Sequence, residues 1–149
     1  MFKPFPYRPL AVVIAAVGAL AAAPTALAQS PPRLYWSNLG TGTIAEANLD
    51  GTAANQSFIP RVNDTYGVAV DGQHMYWTNF DGGTIVEADL DGNSEIPSFI
   101  TGANGPFGLA VDASHIYWTN LGSGTIGEAN LNGTGVNQNF ITVPPARTT

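Results

Sequence analysis

The segment FGLAVDASHIYWTNLGSGTIGEANLNG at residues 107–133 is a near copy of YGVAVDGQHMYWTNFDGGTIVEADLDG at residues 66–92. A third copy opens at Arg33 with RLYWSNLGTGTIAEANLDG. The spacing is 41 residues each time, so Tyr35-Trp36 returns as Tyr76-Trp77 and Tyr117-Trp118, followed by Asn38, Asn79 and Asn120. With residues 66–101 laid on 107–142, 19 of the 36 positions are identical. Self-similarity at a fixed period encodes one supersecondary unit, copied and stacked.

The third copy shows the unit best. Phe107 to Val111 is apolar without helical spacing, His115 to Asn120 is aromatic and β-branched, Thr125 to Leu131 alternates in period two, and Gln138 to Thr142 closes the unit. These read as four strands. The turns between them are Asp112-Ala113-Ser114, Gly122-Ser123-Gly124 and Asn132-Gly133, the last matched by Asp50-Gly51 and Asp91-Gly92. Asp-Gly and Asn-Gly tolerate the positive φ that tight hairpins demand. No window places apolar residues three and four apart, and glycine interrupts about every ten residues, so the reading is all-β.

Four short antiparallel strands per copy match a propeller blade, in which sheets stack face to face around an axis. In the second strand Tyr117 and Thr119 point one way and Ile116 and Trp118 the other, which suits a sheet covered on both faces. A β-solenoid is the competing architecture, but its coils run shorter and lack two hairpin turns per unit.

At Tyr-Trp-Thr-Asn the copies resemble the YWTD propeller repeats of the low-density lipoprotein receptor family, the class B repeats. The likeness runs through Gly108-Leu109-Ala110-Val111-Asp112, Ile116-Tyr117-Trp118-Thr119-Asn120, Gly124-Thr125-Ile126 and Ala129-Asn130-Leu131-Asn132-Gly133, and covers residues 34–142. The resemblance implies that the Gly-Leu-Ala-Val-Asp run is the innermost strand and the Tyr-Trp run the second. It singles out Tyr35, Trp36, Asn38, Tyr76, Trp77, Asn79, Tyr117, Trp118 and Asn120 as structural motif residues. Asn stands where the family has Asp, which keeps an acceptor oxygen and drops the charge.

The family's propellers close with six blades, and this sequence provides about three: 34–65, 66–106 and 107–142. The first copy lacks the run that precedes its Tyr-Trp strand, so eleven strands are expected, and the ring stays incomplete in one chain. At roughly 60° per blade, three blades make half a ring. The end blades then expose faces built to pack. Two copies head to tail would supply six blades; a truncated relic of a longer propeller is the other reading.

The amino terminus has Lys3 and Arg8, an apolar run from Leu10 to Ala23, then Pro24 and Ala26-Leu27-Ala28. That is the layout of a signal peptide over 1–28, cut after Ala28. The run is shorter than the roughly 20 residues a membrane span needs. Secretion or export to a periplasm is the expected localisation, with no integral membrane span after cleavage. Residues 29–33 form a short linker, and 143–149, with Pro144 and Pro145, a disordered tail. Loss of Lys3 and Arg8 takes the net charge from −6 to −8, leaving three arginines against eleven carboxylates. Nucleic acid is excluded as a partner on charge. There is no cysteine, hence no disulfide framework or thiolate metal site.

The polar residues follow the repeat. His74 and His115 share a position that Arg33 takes in the first copy. Glu46, Glu87 and Glu128 recur in the third strand, one per blade, too dispersed for a hard cation that needs six or more oxygens. Asp89-Leu90-Asp91-Gly92-Asn93 has its glycine at the wrong offset for a calcium loop. Asp71 and Asp112 suit turn capping, and Gly40-Thr41-Gly42 lacks the lysine and helix of a phosphate loop. An active site breaks repeat symmetry, and no such break is visible, so no catalytic, cofactor or metal residues are assigned. The expectation is a non-catalytic module for protein interaction or self-association. The alternative is a propeller enzyme similar to streptogramin lyases or lactonase-like hydrolases, which use a divalent metal or histidine in the central channel.

Overall fold

The computed structural model describes residues 13–15 and 32–142; the remainder of the expected signal peptide and the tail at 143–149 lie outside the described residues. The chain is all-β, in three four-stranded antiparallel meanders. The first blade contains β1 (Val13–Ala15), β2 (Arg33–Asn38), β3 (Thr43–Asn48) and β4 (Asn55–Pro60). The second contains β5 (Val68–Val70), β6 (His74–Asn79), β7 (Thr84–Asp89) and β8 (Ile96–Thr101). The third contains β9 (Pro106–Val111), β10 (His115–Asn120), β11 (Thr125–Asn130) and β12 (Asn137–Thr142).

Local chemistry sets these limits. Asn48 N donates to Thr52 O at 3.0 Å and Gly51 N to Asn48 O at 2.9 Å, with Gly51 at φ 81°. This is a three-residue hairpin ending in a left-handed residue, a place glycine fills without steric cost. Gly92 and Gly133 repeat it. The last pair of strands in each blade shifts register at one place, between Ile44 and Glu46, Ile85 and Glu87, and Ile126 and Glu128. A bulge repeated at one register position is part of the template, and it sharpens the local twist.

The strand count corrects the expected eleven. Val13, Ile14 and Ala15 pair with Trp36, Tyr35 and Leu34, in the register that Val68, Ala69 and Val70 adopt on Trp77, Tyr76 and Met75. A strand from the apolar leader thus occupies the edge of β2 that the first copy leaves unpaired, where free N–H and C=O groups accept an extended segment. Arg33, read as linker, is already the first residue of β2.

Blades pack face on face, and each Tyr-Trp pair divides between two interfaces. Between the first and second blades lie Tyr35, Ile44 and Ile59 on one side and Val68, Met75, Trp77, Val86 and Ala88 on the other. Between the second and third lie Tyr76, Ile85 and Ile100 against Leu109, Ile116, Trp118 and Ala129. Tyrosine therefore faces the following blade and tryptophan the preceding one, as period-two alternation requires. The first strand of each later blade lies against the blade before it, β5 beside β2 and β9 beside β5 and β6. The three sheets do not close into a ring.

Candidate functional site

The residues singled out by the repeat stay in their own blades as three similar constellations. Trp77 and Trp118 are buried in the interfaces, whereas Trp36, against which no blade packs among the described residues, is half-buried. Asn120 Nδ2 donates to Thr125 Oγ1 at 3.1 Å and to Gln138 O at 3.1 Å, and its Oδ1 accepts from Asn104 N at 3.0 Å. Asn38 binds Thr43 and Gln56 in the same manner. Asn79 differs, accepting instead from Gly82 N at 3.0 Å. Pro97 replaces the glutamine of the other two blades, and the buried Thr84 Oγ1 has no partner among the described residues.

A second constellation joins the turn aspartate to histidine, tyrosine and glutamate. Asp71 Oδ1 accepts from Gln73 N and His74 N, both at 2.8 Å, while Tyr76 Oη donates to Oδ2 at 2.9 Å. Burial acts to raise Asp71, but these hydrogen bonds outweigh it and hold the carboxyl below its ordinary range. Burial pushes Tyr76 well up, reinforced by its bond to Asp71 and the nearby Glu87. Burial also raises Glu87, with His74 opposing. In the third blade Asp112 caps Ser114 N and His115 N and accepts from Tyr117 Oη at 3.1 Å, and His115 Nε2 stands 3.9 Å from Glu128. The first blade substitutes an ion pair, Arg33 to Glu46 at 2.7 Å. In the second and third blades the set is a local fastening of turn to strand, with the aspartate ionised and its two oxygens committed. Asp91 Oδ1 accepts from Asn93 N at 2.9 Å within the Asp-Gly hairpin. Among the described residues, no three His, Asp or Glu side chains gather in a way that would hold a metal ion.

Three features were beyond the reach of motif reading. Thr78 and Thr119 accept from Gly67 N and Gly108 N at the head of the inner strands. Gln138 links blades, accepting from Trp118 Nε1 at 3.0 Å and donating to Thr101 O at 2.9 Å. Tyr66 stacks on Phe107 with centroids 4.6 Å apart and meets Phe80 edge-on at 5.3 Å, so two loop residues and one residue of β9 form one aromatic patch. Only the 41-residue offset hinted at Gln56 and Gln138, and nothing in the sequence linked Phe80 to Phe107.

The largest break in symmetry is burial. Ile59 and Ile100 are 5% and 1% exposed, yet Ile141, at the same place in the third blade, is 45% exposed. Phe140 is also exposed where Phe58 and Phe99 are half-buried. At the other end of the chain Leu49 is exposed, whereas Leu90 and Leu131 pack against the interface clusters. Among the described residues the outer face of the third blade is thus open and apolar, and that of the first blade presents an exposed Leu49 and a half-buried Trp36 beside a buried Ala47.

No protein-family model matches the chain, nor does any curated protein sequence. Solved structures do. A chain of the nidogen/laminin complex is 25% identical with a TM-score of 0.64, covering 70% of this chain and 42% of that one. Virginiamycin B lyase from Staphylococcus aureus, in a catalytically inactive form with quinupristin, is 15% identical with a TM-score of 0.58, covering 78% and 40%. A streptogramin B lyase is 18% identical with a TM-score of 0.56, covering 75% and 38%. The chain spans about two fifths of the length of each of these proteins. The three sheets are blades of the β-propeller type.

Proposed function

We propose that this chain is a secreted, non-catalytic propeller module of the YWTD kind, working by protein interaction or self-association through its open end blades. The observation that carries the reading is the exposure of Phe140 and Ile141 on a face whose two other copies are covered. Apolar faces of this size in water mark interaction surfaces. The exposed aromatic patch around Phe107 is of the composition that interfaces favour. The lead Lys3, Arg8 and Leu10–Ala23 pattern supports export, and cleavage after Ala28 would take β1 with it and leave the edge of β2 unpaired.

The likeness to streptogramin lyases supports a second reading, a propeller enzyme, for which the Asp-His-Tyr-Glu constellation supplies acid-base groups. Those groups repeat in the second and third blades, whereas catalysis needs one asymmetric set converging on a substrate. Metal content of the purified protein separates the two readings. The module reading expects no stoichiometric divalent ion; one ion per chain, lost in His115→Ala, puts the enzyme reading ahead.

A further inference from the structure

The two open faces of this chain are the two halves of an interface it already makes twice. One half comprises Tyr76, Ile85, Phe99, Ile100 and Thr101 of the second blade, packed on the third. The third blade carries the same five residue types at the same register as Tyr117, Ile126, Phe140, Ile141 and Thr142, and among the described residues no further blade covers them: Phe140 and Ile141 are each 45% exposed. The other half, on the third blade, comprises Trp118, Ala129, Leu131, Gly133 and Gln138. The first blade repeats it as Trp36, Ala47, Leu49, Gly51 and Gln56, identical at all five positions, with Leu49 exposed, Trp36 half-buried and the small Ala47 buried beside them.

Finer geometry matches. The hairpin glycine is where the phenylalanine of the preceding blade lands: a Cβ on Gly133 would stand 3.0 Å from Phe99 Cε2, and one on Gly92 would stand 3.5 Å from Phe58 Cζ. A Cβ on Gly51 would meet no described residue within 4 Å. Gln138 Nε2 reaches Thr101 O across the junction; in the first-to-second junction Pro97 removes that donor. Gln56 and Thr142 retain the donor and the acceptor at the open ends.

We infer that the occupant of both faces is a second copy of this chain, joined head to tail, with Phe140 and Ile141 of one copy against Trp36, Leu49 and Gly51 of the other. A two-fold pairing makes this contact twice and brings six blades into one ring, closing a heterologous interface. Such a junction continues the packing of the interior, and its polar link is the Gln56 amide to the Thr142 carbonyl. The inference rests on the interaction-module reading and names its partner.

The test is sedimentation of the protein in its natural processed form, at micromolar concentration. Twice the chain mass is expected. Ile141→Asp and Leu49→Asp, at opposite ends, should each weaken association by at least about tenfold, as for loss of an interface anchor. Circular dichroism identifies any variant that has simply unfolded, and Phe140→Asp is the replacement for Ile141→Asp in that case. Mixing the Ile141→Asp and Leu49→Asp proteins leaves one intact junction and restores pairs that neither forms alone. A monomeric parent overturns the inference, and so does a Leu49→Asp protein that still dimerises, which would indicate tail-to-tail pairing. A metal lost in His115→Ala would sink the module reading while leaving this dimer intact, and a monomer free of metal would do the reverse.

Discussion

Ile100 and Ile141 are the same residue in the same strand of two blades, one 1% and the other 45% exposed. The second blade lies between two neighbours and hides both faces; the third has a neighbour on one side. The blade template therefore fixes which residues are offered for packing, and position in the stack fixes which are used. In stacked repeats stability is close to a sum of unit and junction contributions, so equivalent substitutions should differ in effect wherever a junction is missing.

Tryptophan gives the largest contrast. Trp77→Ala empties the middle of a junction and is expected to cost about 3–5 kcal/mol, as for other buried aromatic truncations. Trp36→Ala, on the half-buried outer face, should cost less than half of that in urea unfolding of dilute protein. Equal costs would erase the distinction between inner and outer blades. Next in size, Ile100→Ala should cost about 2–4 kcal/mol, against ~0.5 kcal/mol for Ile141→Ala under the same dilute conditions.

Acid unfolding sharpens the comparison in a different way. Asp71 has a depressed folded pKa, so its contribution is present above the ordinary carboxylate value near ~3.9 and is lost as pH falls through the lower folded value. Asp71→Asn should flatten the acid limb of stability below about pH 4. Asp112→Asn should do so less, because Asp112 is more exposed than Asp71. Glu87 works in the opposite sense: raised by burial, it adds stability as pH falls from its folded value toward the ordinary one near ~4.3. Glu87→Gln should therefore remove a gain seen above the Asp71 window. An identical acid limb in the parent and Asp71→Asn proteins would remove the turn-fastening role of Asp71.

The smallest effect concerns the links between blades. Arg61 at φ 62° and Asp64 at φ 43° stand where the next link has Gly102 and Gly105. A non-glycine side chain costs about 1–2 kcal/mol in the left-handed region, partly offset by the greater chain entropy glycine loses. Arg61→Gly is expected to raise stability by up to ~1 kcal/mol, measured as a shift in the urea midpoint. A loss of stability would mean that the arginine side chain makes a contact worth more than the strain.

Much of this architecture was legible in the residues. Tyr-Trp at a fixed period, glycine at hairpin ends and alternation within Thr125–Asn130 are local signals, and the strands fall where they point. What escaped was set by neighbours in space. β1 was hidden because the residues around Val13 satisfy the composition of a signal peptide, and pairing with β2 is a long-range event. Gln138 reads as an ordinary strand residue until Trp118 and Thr101 are seen on either side of it. The left-handed Arg61 and Asp64 carry no glycine to announce their conformation. Of the motif residues, Asn38 and Asn120 share one pattern of partners while Asn79 takes another, a difference that accompanies Pro97 in place of glutamine and is invisible from the motif alone.

Amide hydrogen exchange across all three blades, in protein dilute enough to be monomeric, tests the two-faced template most directly. The account expects the slowest exchange in β6 and β7, which are covered on both sides, and faster exchange in β12, whose apolar face is open. Uniform protection from β2 to β12, or slower exchange in β12 than in β7, would contradict it.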